Sequence, residues 1–286
     1  MNTLPFRVDL RDKVAVVTGG SGVLGSAMCR ALAGCGAKIA IIGRDREKAE
    51  RFAAEIERGG AMARGISCDV LDRASLEAAA AEIESALGPC DILVNGAGGN
   101  HPKGTSGQEY FDPKPPGAAK PAESSFFDLD VTGFKFVFDL NLVGTLLPSQ
   151  VFGRQMLGRP GGAIINVSSM SAFRPLTKVA AYSGAKAAVN NLTQWLATHL
   201  SQAGIRVNAI APGFFITEQN RRLMVHEDGT YTARATKVIA QTPMRRFGQP
   251  EELIGALLWL ADSRSSGFVT GTIIPIDGGF SAYAGV

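Results

Sequence analysis

Short apolar runs alternate along this chain with longer Ala-rich stretches that carry one polar face. The runs at 14–19 (VAVVTG), 38–43 (KIAIIG), 63–69 (ARGISCD) and 91–96 (DILVNG) read as strands. So do those at 162–169 (GAIINVSS), 205–213 (IRVNAIAPG) and 271–279 (GTIIPIDGG). Most are apolar on both faces, as in a strand covered by helices above and below. Between them, stretches such as 24–34, 45–58, 72–87, 182–203 and 250–261 predict helices. This alternation predicts an α/β fold over 1–286, with a doubly wound seven-stranded parallel sheet and helices on both faces.

One segment breaks the rhythm. Residues 98–130 are rich in Gly, Pro and charge and show neither period. They are too many for a plain connection, and they leave the fourth strand at the carboxyl edge, where open α/β sheets bind ligands. A substrate loop is expected there, and a substrate lid at about 213–245, after the sixth strand.

Charge narrows the partners. Net charge is +3, with 29 Lys and Arg dispersed among 26 Asp and Glu. That leaves no basic stripe for nucleic acid or a membrane surface. Cys29, Cys35, Cys68 and Cys90 form no CxxC and have no His at ligand spacing, so neither disulfides nor a metal site is expected. A reducing, cytoplasmic setting fits. The first residues lack a signal-peptide apolar run, and no window approaches the roughly 18 apolar residues of a membrane span.

The first strand runs through a glycine-rich turn into an amphipathic helix. Gly19, Gly20, Gly22 and Gly25, with Ser21, Val23 and Leu24, would let a pyrophosphate meet backbone N–H groups at the helix's positive end. In this setting the turn predicts a Rossmann dinucleotide site. The second strand ends in Gly43, followed by Arg44 and Asp45. Arg44 suits a 2′-phosphate and Asp45 a ribose 2′-hydroxyl, so NADP(H) is preferred and NAD(H) stays open. Asp69 and Val70 at the third strand's tip, and Asn95, Gly96, Ala97 and Gly98 at the fourth's, would flank adenine and ribose.

A second signature lies in VAAYSGAKAAVN, 179–190. Tyr182 and Lys186 are one helical turn apart on one face, among small residues that leave clearance for a cofactor. A ketone reduced by hydride needs a proton from a nearby acid. Free tyrosine, with a pKa of about 10, serves poorly near neutrality. A cation about 4 Å away supplies about 4 kcal/mol toward phenolate at an effective dielectric near 20, but only about 1 kcal/mol in water. Lysine can therefore activate the phenol only in a partly closed cleft.

With TGGSGVLG, NGAG, LNLVGT, INVSSM, YSGAK, RVNAIAPG and VTGTIIPIDGG in this order, nearly the whole chain resembles the short-chain dehydrogenase/reductase family. The resemblance places a catalytic tetrad on Asn141, Ser169, Tyr182 and Lys186. It implies that Asn141 holds a water linked to Lys186, and that Ser169 hydrogen-bonds the reacting carbonyl. It also implies that Pro212, Gly213, Phe215 and Thr217 close over the nicotinamide. The chain departs from the family at Val23, where glycine is usual, and lacks the basic residue that many NADP-preferring members carry in this turn.

FFITEQNR, TPMRRFG and DGGFSAYAGV resemble the sugar-acid branch, most closely the D-mannonate oxidoreductases, or fructuronate reductases. This implies interconversion of D-mannonate and D-fructuronate. Gluconate 5-dehydrogenases and 3-oxoacyl-carrier-protein reductases are the near alternatives, and Phe173, Phe214 and Phe215 keep an acyl chain open. A non-catalytic dinucleotide sensor would be expected to lose Ser or Tyr, and both are present. A sugar acid needs a cation and many polar groups. Asn100, His101, Arg174 and Asn220 are the candidate substrate residues, with Lys103, Lys178, Gln219 and Arg221 nearby. The family implies a homotetramer built through the LNLVGT and YSGAK helices and the last strand.

Overall fold

Strand β1 (Val14–Thr18) is buried at every position, and its side chains feed two separate cores. Ala15 and Val17 face one; Val14 and Val16 face the other. That is the consequence of a strand apolar at both parities. The computed structural model describes residues 7–111, 125–218 and 220–285, and places β1 among seven parallel strands. The others are β2 (Lys38–Gly43), β3 (Ala63–Ser67), β4 (Ile92–Asn95), β5 (Gly162–Val167), β6 (Ile205–Pro212) and β7 (Ile273–Ile276). Their order is β3-β2-β1-β4-β5-β6-β7, and Val16 pairs with Ala40 on one side and Leu93 on the other. The order reverses between β1 and β4, which opens the crevice that dinucleotides use in such sheets.

Helix α1 (Val23–Gly34) and helix α2 (Arg46–Arg58) cover one face, where Met28, Leu32 and Phe52 pack on Ile39 and Ile41. Helix α3 (Arg73–Ala86) covers the other, where Leu76 and Ile83 pack on Ile42 and Leu93. Asp45 caps α2 by accepting from the Lys48 N–H, and Asp72 caps α3 from the Ala74 N–H.

A helix not among those expected fills the gap between β4 and β5. It comprises α4 (Val131–Phe138), a π-helical segment (Asp139–Val143) and α5 (Gly144–Met156). Together they form one 26-residue unit containing an 18-residue stretch of mean hydropathy 1.2, long and apolar enough to cross a membrane by those two measures. The expectation that no such window exists is therefore corrected. The helix is nevertheless half buried inside the fold, with Val151, Phe152 and Met156 in the α3-side core. Composition alone could not separate a core helix from a span.

Helix α6 (Ala180–His199) packs behind β5 and β6. After β6, helix α7 (Arg221–Met224) and helix α8 (Ala233–Gln241) share a small core of Met224, Ala235 and Phe247. Helix α9 (Ile254–Ala261) returns to the α1 side. Several strands end two or three residues before the expected bound: β3 at Ser67, β5 at Val167 and β7 at Ile276. The residues beyond, Asp69 and Ser168 to Ser169 among them, leave the ladder at the carboxyl edge. Of the expected loop 98–130, the described parts contain 3-10 turns at Pro102–Gly104 and Phe126–Asp128, and residues 112–124 lie outside the described residues.

Gly65 is where β3 touches α2. A Cβ there would lie 2.3–2.4 Å from the Ala49 carbonyl and the Glu50 nitrogen, all backbone. Gly65→Ala is expected to cost about 2 kcal/mol of stability, as overpacking that rotamers cannot relieve. Thermal melts check this, with KM for the dinucleotide unchanged.

Candidate active site

The glycine turn is built from close contacts. Gly19 takes φ +67°, and a Cβ on it would come within 2.9 Å of the Gly96 carbonyl. A Cβ on Gly25 would strike the Gly19 carbonyl at 2.3 Å, so only glycine lets α1 sit this near β1. Gly22 caps α1 without a side-chain bond, leaving the first-turn N–H groups of Val23 and Leu24 available to an anion. Val23 is an ordinary first helical residue, so the departure from the family spacing leaves this anion cradle intact. At the end of β2, Ser21 Oγ lies 3.4 Å from where a Gly43 Cβ would stand. Arg44 is exposed, and its guanidinium makes no hydrogen bond or ion pair among the described residues. Asp45 is committed to the α2 cap.

The strand tips sort differently from expectation. Asp69 is exposed and folds one carboxylate oxygen onto the Leu71 N–H. Val70 turns its side chain inward, next to Gly144. Asn95 points into the core, where its amide donates to Ser149 Oγ and Asn166 Oδ1. The Val70 and Asn95 side chains are thus committed to the core, whereas the Asp69 carboxylate stays exposed at the carboxyl edge with its second oxygen facing no partner among the described residues. Gly96 and Ala97 remain at the rim, their N–H groups both held 3.1 Å from the buried Thr18 hydroxyl. Thr18 was not among the expected residues; a polar residue ending an apolar strand was the available signal.

Four candidate side chains converge at the ends of β4 and β5. Asn141 is fully buried in the π-helical segment and exchanges two bonds with Gly99: its Nδ2 donates to the carbonyl at 2.7 Å, and its Oδ1 accepts from the N–H at 3.2 Å. A Cβ on Gly98 would lie 2.7 Å from Asn141 Oδ1 and 3.3 Å from Lys186 Nζ, so both groups flank that glycine. Lys186 is buried and donates to the Val167 carbonyl at 2.7 Å. Its Nζ stands 5.7 Å from the Tyr182 ring centre. Ser169 Oγ accepts from the Ser171 N–H at 3.2 Å and lies near enough to the Tyr182 phenol to draw its pKa downward.

Electrostatics here run against the simple expectation of a lysine that lowers the tyrosine. Burial raises the Tyr182 pKa above its ordinary value, and the nearby Ser169 hydroxyl pulls the other way. Burial also pushes the Lys186 ammonium down to about 8. Both groups share one dry site, so each loses hydration in its charged form. The small residues between them pack closely within the fold. Ser183 Oγ accepts from the Leu176 N–H, Gly184 meets Phe138, and Ala185 is fully buried. Ser168 donates to Asn190 Oδ1, a contact the sequence reading missed. Its signal was a third polar side chain on the face of Tyr182 and Lys186, one turn further on.

The substrate candidates are less free than expected. Arg174 Nε donates to the Ser281 carbonyl, which ties down the C-terminal segment. Asn220 donates to the Phe215 carbonyl and accepts from the Thr217 N–H, both at 2.8 Å, so its amide braces the loop that follows β6. Phe215 is buried, with its ring packed against Gly248. Gly213 approaches Asp277 so closely that a Cβ would meet its Cα at 2.5 Å. Pro212, the last residue of β6, and Thr217 stay at the cleft edge. Asn100 bonds Thr105 within the loop, and His101 accepts from the Lys103 N–H beside Phe136. Gln219 lies outside the described residues.

A doubly wound parallel sheet with a glycine cradle at the first crossover and a Ser–Tyr–Lys cluster at its carboxyl edge defines a nicotinamide-dependent oxidoreductase. Residues 13–228 match the family model for short chain dehydrogenases. The chain is 53% identical to UxuB, an uncharacterised oxidoreductase of Bacillus subtilis (strain 168), over 99% of its own length and 100% of that protein's. Its fold superposes at a TM-score of 0.93 on a candidate D-mannonate oxidoreductase of Haemophilus influenza crystallised with NAD (48% identity, 99% and 100% coverage). It superposes at 0.82 on a Burkholderia cenocepacia gluconate 5-dehydrogenase in complex with NADP and tartrate (31% identity, 98% and 99% coverage). The protein belongs to the short-chain dehydrogenase/reductase family and is an NAD(P)-dependent oxidoreductase acting on a CH–OH group.

Lys186 sits at about 8 in the fold against an ordinary 10.5. The unfolded chain therefore holds more protons between these values, and stability rises with pH across that window. Below it, the buried ammonium costs about 3 kcal/mol, offset by about 1 kcal/mol from its bond to Val167. Without dinucleotide, Lys186→Met is expected to melt at or above the wild type at pH 7, with the gap closing toward pH 10. Turnover is expected to be lost. A variant that melts lower by the same margin at every pH would contradict this account.

Proposed function

We propose that the enzyme interconverts a sugar acid and its keto form, D-mannonate and D-fructuronate, and favours NADP(H). The observation that carries the chemistry is the convergence of Asn141, Ser169, Tyr182 and Lys186 around Gly98 and the end of β5. The bound nicotinamide gives or takes the hydride; the glycine cradle and the α1 N-terminus would hold its dinucleotide. In the reductive direction, Ser169 donates a hydrogen bond to the carbonyl oxygen as negative charge grows there. Tyr182 gives its phenolic proton to that oxygen, and the Lys186 ammonium stabilises the phenolate left behind. Asn141 fixes Gly98 and Gly99 against Lys186, which keeps the cleft floor narrow.

The substrate assignment is supported by the likeness to the Haemophilus protein and by the tartrate in the gluconate 5-dehydrogenase complex, a polyhydroxy acid. The NADP(H) preference is supported by Arg44, which follows β2 with its guanidinium unpaired among the described residues, while Asp45 is spent on a helix cap. A homotetramer is supported by exposed Trp195 on α6 and is checked by sedimentation.

Reduction of D-fructuronate is expected with NADPH, and more weakly with NADH. Tyr182→Phe is expected to lower kcat about a thousandfold. A panel of uronates and aldonates without turnover would overturn the substrate while leaving the reaction class. Arg44→Ala is expected to raise KM for NADPH about tenfold and leave that for NADH nearly unchanged. Equal effects on both would return the preference to NAD(H).

A further inference from the structure

We infer that Gln108 and Lys178 form the polar end of the substrate pocket. Lys178 takes the carboxylate of a polyhydroxy acid and Gln108 one of its hydroxyls. The inference rests on the sugar-acid reading and names the residues that would recognise such a ligand.

The path of the loop after β4 locates them. The Ser106 N–H donates to the Lys178 carbonyl at 2.8 Å, and Ser106 Oγ donates to the Gln108 carbonyl at 2.9 Å. The next residue, Glu109, forms an ion pair with Lys237 of α8. Within three residues the chain crosses from the segment leading into α6 to the helix that follows β6. Lys178 lies two residues before α6, so this crossing runs beside the start of the helix that carries Tyr182.

Both side chains have unused capacity at that point. Gln108 Oε1 is buried without a hydrogen-bond partner among the described residues, a costly condition for an amide that a ligand hydroxyl would relieve. Lys178 is half-buried, and its ammonium has no hydrogen bond or ion pair among the described residues. Its backbone is held at φ +70°, in the left-handed region that a lysine seldom adopts. The bond from Ser106 helps hold that conformation. Strain of this kind gathers where a side chain must be aimed. An ammonium meets a carboxylate as a point charge, and an amide oxygen accepts from a hydroxyl. Arg174 and Asn220, by contrast, already serve Ser281 and the loop after β6.

Calorimetry on the full-length protein loaded with NADPH tests the assignment, with D-mannonate as probe and D-mannitol as its neutral counterpart; neither can react in that complex. Lys178→Met is expected to weaken D-mannonate at least about tenfold and leave D-mannitol unchanged. Gln108→Leu is expected to weaken both about threefold to tenfold without lowering the melting temperature, because an unsatisfied buried amide is replaced by an apolar isostere. NADPH affinity should be unchanged in both. If both variants bind D-mannonate as the wild type does, the inference falls, whatever the turnover. If binding responds as expected but D-mannonate and D-fructuronate are never interconverted, the proposed reaction falls and the pocket assignment stands. A wild type that binds no D-mannonate overturns both.

Discussion

The bond from the buried Lys186 ammonium to the Val167 carbonyl sets the geometry on which the site depends. It joins α6 to the last residue of β5, where the strand leaves the ladder and its carbonyl would otherwise lack a partner. One turn further along α6, Asn190 receives the Ser168 hydroxyl. One turn earlier, Tyr182 meets Ser169. Two successive turns of one helix thus grip two successive residues of one strand end, and a third turn brings Tyr182 to the next. The rotation and height of α6 are fixed by polar contacts in a place where Ala and Gly packing alone would let it slide.

Dryness is the cost and the use of this arrangement. Removing water disfavours both phenolate and ammonium, which is why Tyr182 moves up and Lys186 moves down. The same low dielectric makes every remaining interaction stronger, so a serine hydrogen bond or a nearby cation counts for more than at a surface. With Lys186 near 8 it remains largely protonated at neutral pH, and the site keeps one fixed charge to work with. Asn141 seals the opposite side by clamping Gly99. The π-helical segment that carries it interrupts an otherwise regular helix at the point where the chemistry sits.

Around this core, polar side chains divide into those that build the cleft and those left over. Thr18, Asn95, Arg174 and Asn220 hold backbone or core partners, and each fixes a loop at the carboxyl edge. Arg44, Lys178 and the Gln108 amide oxygen remain unspent. The first follows β2, and the other two lie just before α6 and on the loop after β4.

Strand and helix periodicity was enough to foresee the sheet, because strands buried on both faces are apolar at both parities and few other structures are. The glycine turn and the Tyr182–Lys186 spacing were legible for a similar reason: close backbone approach demands glycine, and one helical turn sets two side chains on one face. The helix over 131–156 was harder to foresee, since its apolar stripe is blurred by burial on several sides. Sequence also could not say where a polar side chain points. Asn95, Arg174, Asn220 and Phe215 have the right chemistry for a ligand, yet the fold uses their polar atoms or rings to satisfy backbone groups and fill space. Those commitments depend on neighbours distant in the chain, such as Ser281 for Arg174 and Gly248 for Phe215. Composition and spacing determined the fold and the chemistry on offer. Only packing decided which groups were left free to use it, because most buried polar atoms are paired within the structure first.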